Sequence, residues 1–254
     1  MKFIPNLLTL ANLFFGCLAI IFILQTGESL IIQNEEGTFV AQMPEKIWWG
    51  STCIGIAAIL DFFDGLVARW LNADSLLGKQ LDSLADIVSF GVAPAMILYQ
   101  LLRISYIQEE TALDTSLLAL APALIFPCAG AYRLARYNLD ISDHSGFRGV
   151  PIPAVGLVVA SLPLIVVYNY FNFTSLLLNK WILYLIILLL SWLMVSTLPM
   201  MAFKFRKSSI KENIPALILL IAAIASAVIL QWLAVPVVFL LYIIISLVFK
   251  IKNT

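Results

Sequence analysis

Apolar runs of about 20 residues recur along the whole chain, and no other feature constrains its fold as strongly. A hydrocarbon core about 30 Å thick is crossed by roughly 20 residues of helix. Only a helix or a closed barrel satisfies its own backbone hydrogen bonds there. Such runs lie at about 5–25, 47–70, 81–104, 115–137, 153–171, 181–203, 214–231 and 234–250. They predict an all-α, polytopic transmembrane helical bundle of about eight spans. The last two, joined by a turn near Trp232 to Pro236, read either as two spans or as one re-entrant hairpin. The first run lacks a strongly basic leader and a small-residue cleavage site, so it reads as a span rather than a signal peptide. Composition excludes the soluble alternative. Of 254 residues 62% are hydrophobic and 12% charged, with a mean hydropathy of +1.00, more apolar side chain than a water-soluble globule can hide.

Charge sets orientation. Placing the N-terminus in the cytoplasm puts Lys2, Arg69, Lys79, Arg133, Arg136, Arg148 and every basic residue from Lys204 onward inside and leaves only Lys46, Arg103 and Lys180 outside. Trp48, Trp49, Trp181 and Trp232 then fall at outer ends, as an interfacial aromatic belt requires. Both termini are therefore expected in the cytoplasm. A net charge of +0 gives no basic footprint for nucleic acid. Cys17, Cys53 and Cys128 stand far apart in apolar runs, with no zinc or disulfide pattern. No linker or repeat interrupts residues 1–254, which read as one integral membrane domain.

Within the apolar runs sit four acids. Asp61 and Asp64 fall inside the second run, Asp82 and Asp86 at the start of the third. Each costs at least about 2.5–3.5 kcal/mol at such depth and needs a compensating cation or a polar cavity. The first pair is i,i+3 and the second i,i+4, so each projects from one helix face. A turn through 72–81 makes the helices antiparallel neighbours and brings four carboxylates together. Hard oxygen ligands of this kind suit Mg²⁺ or Mn²⁺, and Ca²⁺ as well, rather than zinc. Gly65 and Ala68 follow Asp61 on the same face and Gly78 precedes Asp82 by one turn, leaving room for a bulky ligand against the backbone. Arg69 adds a cation suited to phosphate oxygens. Together they describe a cradle for a metal-bound diphosphate at the membrane–cytoplasm boundary. A divalent-cation transporter is the competing reading, but its acids would be spread across the bilayer depth.

The string Asp61-Phe-Phe-Asp64-Gly65-Leu-Val-Ala68-Arg69, followed by Gly78-Lys-Gln-Leu-Asp82-Ser-Leu-Ala-Asp86, resembles the signature of the CDP-alcohol phosphatidyltransferase family, with all eight signature positions filled. Asp82 to Ala95, Pro5-Asn6-Leu7-Leu8-Thr9 and Arg133-Leu-Ala-Arg136-Tyr137-Asn138 are similar to segments of its serine-accepting branch. The likeness covers about residues 1–155, a catalytic part, with 156–254 read as additional transmembrane helices. Ser83 and Ile87 stand where the glycerol phosphate-accepting branch carries Pro and Lys.

The resemblance implies CDP-diacylglycerol as donor, L-serine as acceptor, a homodimer in the cell membrane and an active site facing the cytoplasm. Glycerol 3-phosphate or inositol phosphate are the alternative acceptors. It further implies that Asp61, Asp64, Asp82 and Asp86 bind one or two divalent cations and that Asp86 is the base. Ser75 reads as a turn residue or, by resemblance, a nucleotide contact; Asn6 and Thr9 read as helix-start caps or nucleotide contacts. Arg133 and Arg136 read as positive-inside anchors or as holders of an anion, the serine carboxylate or the lipid-side phosphate. Asn138 and Arg148 border the same expected pocket. His144 reads as a solvated loop residue.

Overall fold

Twenty-two residues without a charged side chain form α1 (Phe3–Leu24), and Pro5 sits in its first turn, where a missing N–H costs nothing. This computed structural model describes residues 3–24, 31–33, 39–41, 43, 46–71, 75–107, 116–139, 149–169, 171–200 and 210–251, without the side chains of 31–33, 39–41, 210–214 and 249–251. After α1 comes a short antiparallel ribbon, β1 (Ile31–Gln33) and β2 (Phe39–Ala41), pairing Ile31 with Ala41 and Gln33 with Phe39. It adds a minor strand pair to the expected all-α architecture, formed where β-branched and aromatic residues flank a polar stretch containing Gly37.

α2 (Ile47–Trp70) carries the first acid pair in its last half. The chain then turns into α3 (Leu76–Asp86), whose N-cap Ser75 accepts the Gly78 N–H at 3.0 Å. A π-helical turn, Ile87–Val92, joins α3 to α4 (Ala93–Ile107). The rod from Leu76 to Ile107 has 32 residues, about 48 Å at the helical rise, so one end projects beyond the hydrocarbon core. α5 (Leu117–Leu120) leads through a 3₁₀ turn containing Pro122 into α6 (Ile125–Leu139). α7 (Ile152–Tyr168) is stopped by Asn169 in the left-handed region (φ 42°). The short α8 (Thr174–Leu177) precedes α9 (Lys180–Val195), capped by the Asn179 side chain. α10 (Ile210–Leu230) and α11 (Ala234–Ile251) pack on each other across a 3₁₀ turn at Gln231–Leu233.

Every apolar run of the sequence thus contains a helix among the described residues. Among the described residues five segments have the length and apolarity to cross a membrane: Phe3–Leu24, Ile47–Trp70, Leu76–Ile107, Leu117–Leu139 and Pro215–Val248, the last interrupted by the turn at Gln231. The apolar helices α7 and α9, of 17 and 16 residues, are shorter. The protein is a polytopic helical membrane protein. Large apolar side chains such as Phe14, Ile21, Leu185, Val228 and Ile244 point outward, as surfaces solvated by lipid do.

The π turn lies at the centre of the packing. Phe90 is fully buried there. The Ser89 hydroxyl donates to the Asn12 carbonyl of α1 at 3.0 Å. Gly16 lets α1 approach so closely that an added Cβ would stand 2.8 Å from Ser89 Cα, and one at Gly156 of α7 would stand 2.9 Å from the Phe90 carbonyl oxygen. Asn6 lies beside Gly78 and Gly16 beside Ser89, so α1 and the α3–α4 rod run parallel and begin at the same end of the bundle.

Candidate active site

Four carboxylates meet where α2 ends and α3 begins. Asp61, Asp64 and Asp82 each present an oxygen, and these oxygens lie within 4.8 Å of one another. The Asp61 carboxylate lies against those of both Asp82 and Asp86, which brings all four acids into one cluster. Asp64 and Asp86 are buried. The Thr9 hydroxyl sits 2.7 Å from Asp64 Oδ2 and 3.1 Å from the carbonyl of Pro5, so α1 holds an acid of α2 in place. Buried Asp86 Oδ1 has no hydrogen-bond partner among the described residues.

This donor set fits a hard divalent cation. Oxygens bound about 2.1–2.5 Å from one ion stand no more than about 5 Å apart, the spread found here. Carboxylates so close in a low-dielectric setting repel one another unless positive charge lies between them. With only oxygen donors, and no Cys or His in the cluster among the described residues, the chemistry matches Mg²⁺, Mn²⁺ or Ca²⁺ rather than zinc.

Beside the acids lies a cavity of about 620 Å³, between the first turns of α1, the end of α2 and the start of α3. Gly65, Ala68, Arg69 and Gly78, expected around a diphosphate, line it together with Asp64 and Asp82, and so do Asn6, Thr9 and Ser75, for which capping or turn roles and nucleotide contacts are the alternatives. An added Cβ at Gly65 would meet no atom within 4 Å, so a side chain there would project into open space. At Gly78 the room is tighter, with Ser75 Oγ at 3.0 Å and Asn6 Oδ1 at 3.1 Å from such a Cβ. Arg69 Nε donates to the Gly65 carbonyl at 2.9 Å, which fixes the side chain along the helix and leaves four N–H donors for other acceptors.

Pro5, Leu76 and Lys79 also line the cavity and were not singled out from sequence. Lys79 was the legible one, a cation directly after the signature glycine. Its ammonium stands 5.7 Å from the centroid of the Tyr137 ring.

The residues expected on the acceptor side lie apart from this cavity's lining. Arg133 is 5% exposed, with a buried Nε lacking a partner among the described residues, and it interacts electrostatically with Asp86, Tyr242 and Tyr137. Arg136 donates from both terminal nitrogens to the carbonyls of Val195 (2.9 Å) and Ser196 (3.0 Å), closing the end of α9. Asn138 Nδ2 donates to Ser83 Oγ at 2.9 Å, and that hydroxyl donates to the Lys79 carbonyl at 3.1 Å. This tie fastens α6 to α3 between the third and fourth acids. Arg148 and His144 lie outside the described residues.

Comparison with known proteins agrees with this geometry. A family model described as CDP-alcohol phosphatidyltransferase matches residues 2–193. That match continues through α7 and most of α9, past the region near Pro153 where the chain reads as generic apolar helix. The chain is 34% identical over 163 residues to the CDP-diacylglycerol–serine O-phosphatidyltransferase of Bacillus subtilis, covering 64% of this chain and 76% of that protein. It is 32% identical over 218 residues to the protein of the same name from Helicobacter pylori, covering 85% and 79%. Over a shorter stretch of 106 residues, 42% of this chain and 46% of the other, it is 43% identical to the one from Methanocaldococcus jannaschii. The chain belongs to the CDP-alcohol phosphatidyltransferase family.

Proposed function

We propose that this protein is a CDP-diacylglycerol–serine O-phosphatidyltransferase, transferring a phosphatidyl group to the hydroxyl of L-serine and releasing CMP. The observation that carries the reading is the acid cluster at the wall of a cavity of about 620 Å³, in a chain whose relatives bear that name.

Asp61, Asp64 and Asp82, with Asp86 beside them, are the residues that would hold Mg²⁺ or Mn²⁺. Bound there, the cation supplies positive charge for the diphosphate oxygens and for the departing CMP. The chain's own groups do the rest. Thr9 keeps the Asp64 carboxylate oriented. Gly65, Ala68 and Gly78 leave space for the CDP moiety, while Arg69 offers its terminal N–H groups to phosphate oxygens and Asn6 and Ser75 supply polar contacts. Asp86 takes the proton from the serine hydroxyl as its oxygen bonds to the lipid-side phosphorus and the P–O bond to CMP breaks. No covalent enzyme intermediate is needed. Arg133, beside Asp86, binds the serine carboxylate. Asn138 and Arg136 border that side by holding α3 and α9.

The site faces the cytoplasm of a cell membrane, and the molecule acts as a homodimer. Support for the orientation comes from Arg69, Lys79, Arg133 and Arg136 near the cavity end, while Trp48 and Trp49 stack at the far end of α2. The whole chain acts as one domain, its catalytic apparatus within about residues 1–155. The deciding experiment offers purified protein CDP-diacylglycerol, Mn²⁺ and a panel of alcohols, and measures CMP release. Serine should support turnover, and chelation should abolish it. Release of CMP with glycerol 3-phosphate or inositol phosphate but not with serine would refute the acceptor assignment.

A further inference from the structure

Among the described residues two cations line the cavity, Arg69 and Lys79, and the mechanism uses only Arg69. Lys79 stands in the first turn of α3, its N–H donating to the Ser75 carbonyl at 3.1 Å. That turn carries no acid, and the positive end of a helix disfavours a cation there. Marking the cytoplasmic side of the membrane requires no such place. The lysine is also held at both ends. At its backbone, the carbonyl accepts the Ser83 hydroxyl at 3.1 Å, and that hydroxyl accepts from Asn138 Nδ2 of α6 at 2.9 Å. At its tip, the ammonium lies over the ring of Tyr137, 5.7 Å from the centroid. Two consecutive residues of α6 thus place one side chain of α3. Among the described residues the ammonium makes no ion pair, although Asp82, three positions on, lines the same cavity. Its charge therefore leaves the acids to a metal ion. An aromatic face at an exposed position is a weak partner for an ammonium, and the three N–H donors can still meet stronger acceptors.

We propose that Lys79 is a further binding residue for the donor, its ammonium leaving the Tyr137 ring to meet a phosphate oxygen of the liponucleotide diphosphate alongside Arg69. The exchange is favourable because a hydrogen bond between two charged groups is stronger than contact with a ring face. It also brings to the first turn of α3 the negative charge that turn lacks. Tyr137 holds the ammonium at the cavity edge until the phosphate takes it. The inference rests on the reading of the cavity as the CDP-diacylglycerol site and adds a residue to it.

The test uses the full chain in detergent with Mn²⁺, comparing wild type, Lys79→Met and Lys79→Arg. Two quantities are read: the KM values for CDP-diacylglycerol and serine from CMP release, and the Kd for CDP by calorimetry. Lys79→Met removes the charge and keeps an unbranched side chain at an exposed position. It should raise the KM for CDP-diacylglycerol and the Kd for CDP about tenfold, the scale of one lost hydrogen bond to a charged group, with the KM for serine within about twofold. Lys79→Arg keeps a charged donor and should recover most of both losses. Unchanged values for CDP-diacylglycerol and CDP in Lys79→Met overturn the proposal. So does a rise confined to the serine KM, a loss of thermal stability with CDP affinity intact, or a Lys79→Arg protein as weak as Lys79→Met. A wild type that binds CDP but releases no CMP with any alcohol refutes the proposed reaction, and the CDP affinities then decide Lys79 alone. A wild type that neither binds CDP nor releases CMP overturns both.

Discussion

The Thr9 hydroxyl reaches from α1 to Asp64 on α2 at 2.7 Å, so one small side chain determines how a carboxylate of the cluster is turned. Groups that orient metal ligands are typically worth 10–100-fold in metal affinity. Thr9→Val keeps the shape and removes the donor, and should raise the Mn²⁺ concentration for half-maximal activity by about tenfold in a titration of CMP release. Asp86→Asn should behave differently. It keeps an oxygen for the cation but cannot take a proton, so turnover should fall about 10²–10⁴-fold with the Mn²⁺ titration little changed. Wild-type turnover in Asp86→Asn would remove the base from the mechanism. The four acids were readable from sequence because charge inside an apolar run is too costly to be incidental. Arg133 and Arg136 were not separable there, since i,i+3 neighbours share a helix face and either could anchor or bind. Packing divides them: Arg133 lies buried beside Asp86, while Arg136 closes α9.

Between α3 and α4 the helix widens for one turn directly after Asp86. π turns concentrate at functional sites because the extra residue re-aims side chains on either flank. This one is held by α1 through the Ser89 hydroxyl and Gly16, and by α7 through Gly156. Gly16→Ala would push a methyl group into Ser89. It should destabilise the protein by about 1–3 kcal/mol, the usual cost of overpacking a tight contact, seen as earlier thermal inactivation in detergent. Stability equal to wild type would mean that α1 can move away from the turn freely. Nothing in Ile-Val-Ser-Phe-Gly-Val announces the widening, because an inserted residue leaves hydropathy unchanged while it rotates the register. The helices themselves were legible, as apolar length alone defines them. The ends of α7 and α9 were less so, since Asn169 in a left-handed conformation and the Asn179 cap shorten helices that hydropathy would extend.

At the scale of the whole molecule, α1 and the α3–α4 rod begin at one end of the bundle, and the cavity opens between their first turns and the end of α2. On the proposed orientation, a water-soluble acceptor arrives from the cytoplasmic side. Sealed inverted vesicles should release CMP when serine is added outside, whereas right-side-out vesicles should need permeabilisation. Equal activity in both would contradict the orientation drawn from the lysines and arginines. Every carboxylate of the cluster comes from a single consecutive stretch, 61–86, whereas Arg133 comes from α6. On the proposed roles, handling of the activated lipid and choice of alcohol are thus written in different parts of the gene. Mutation can revise the second while the first stays intact, and a change of product need not disturb the chemistry that makes it.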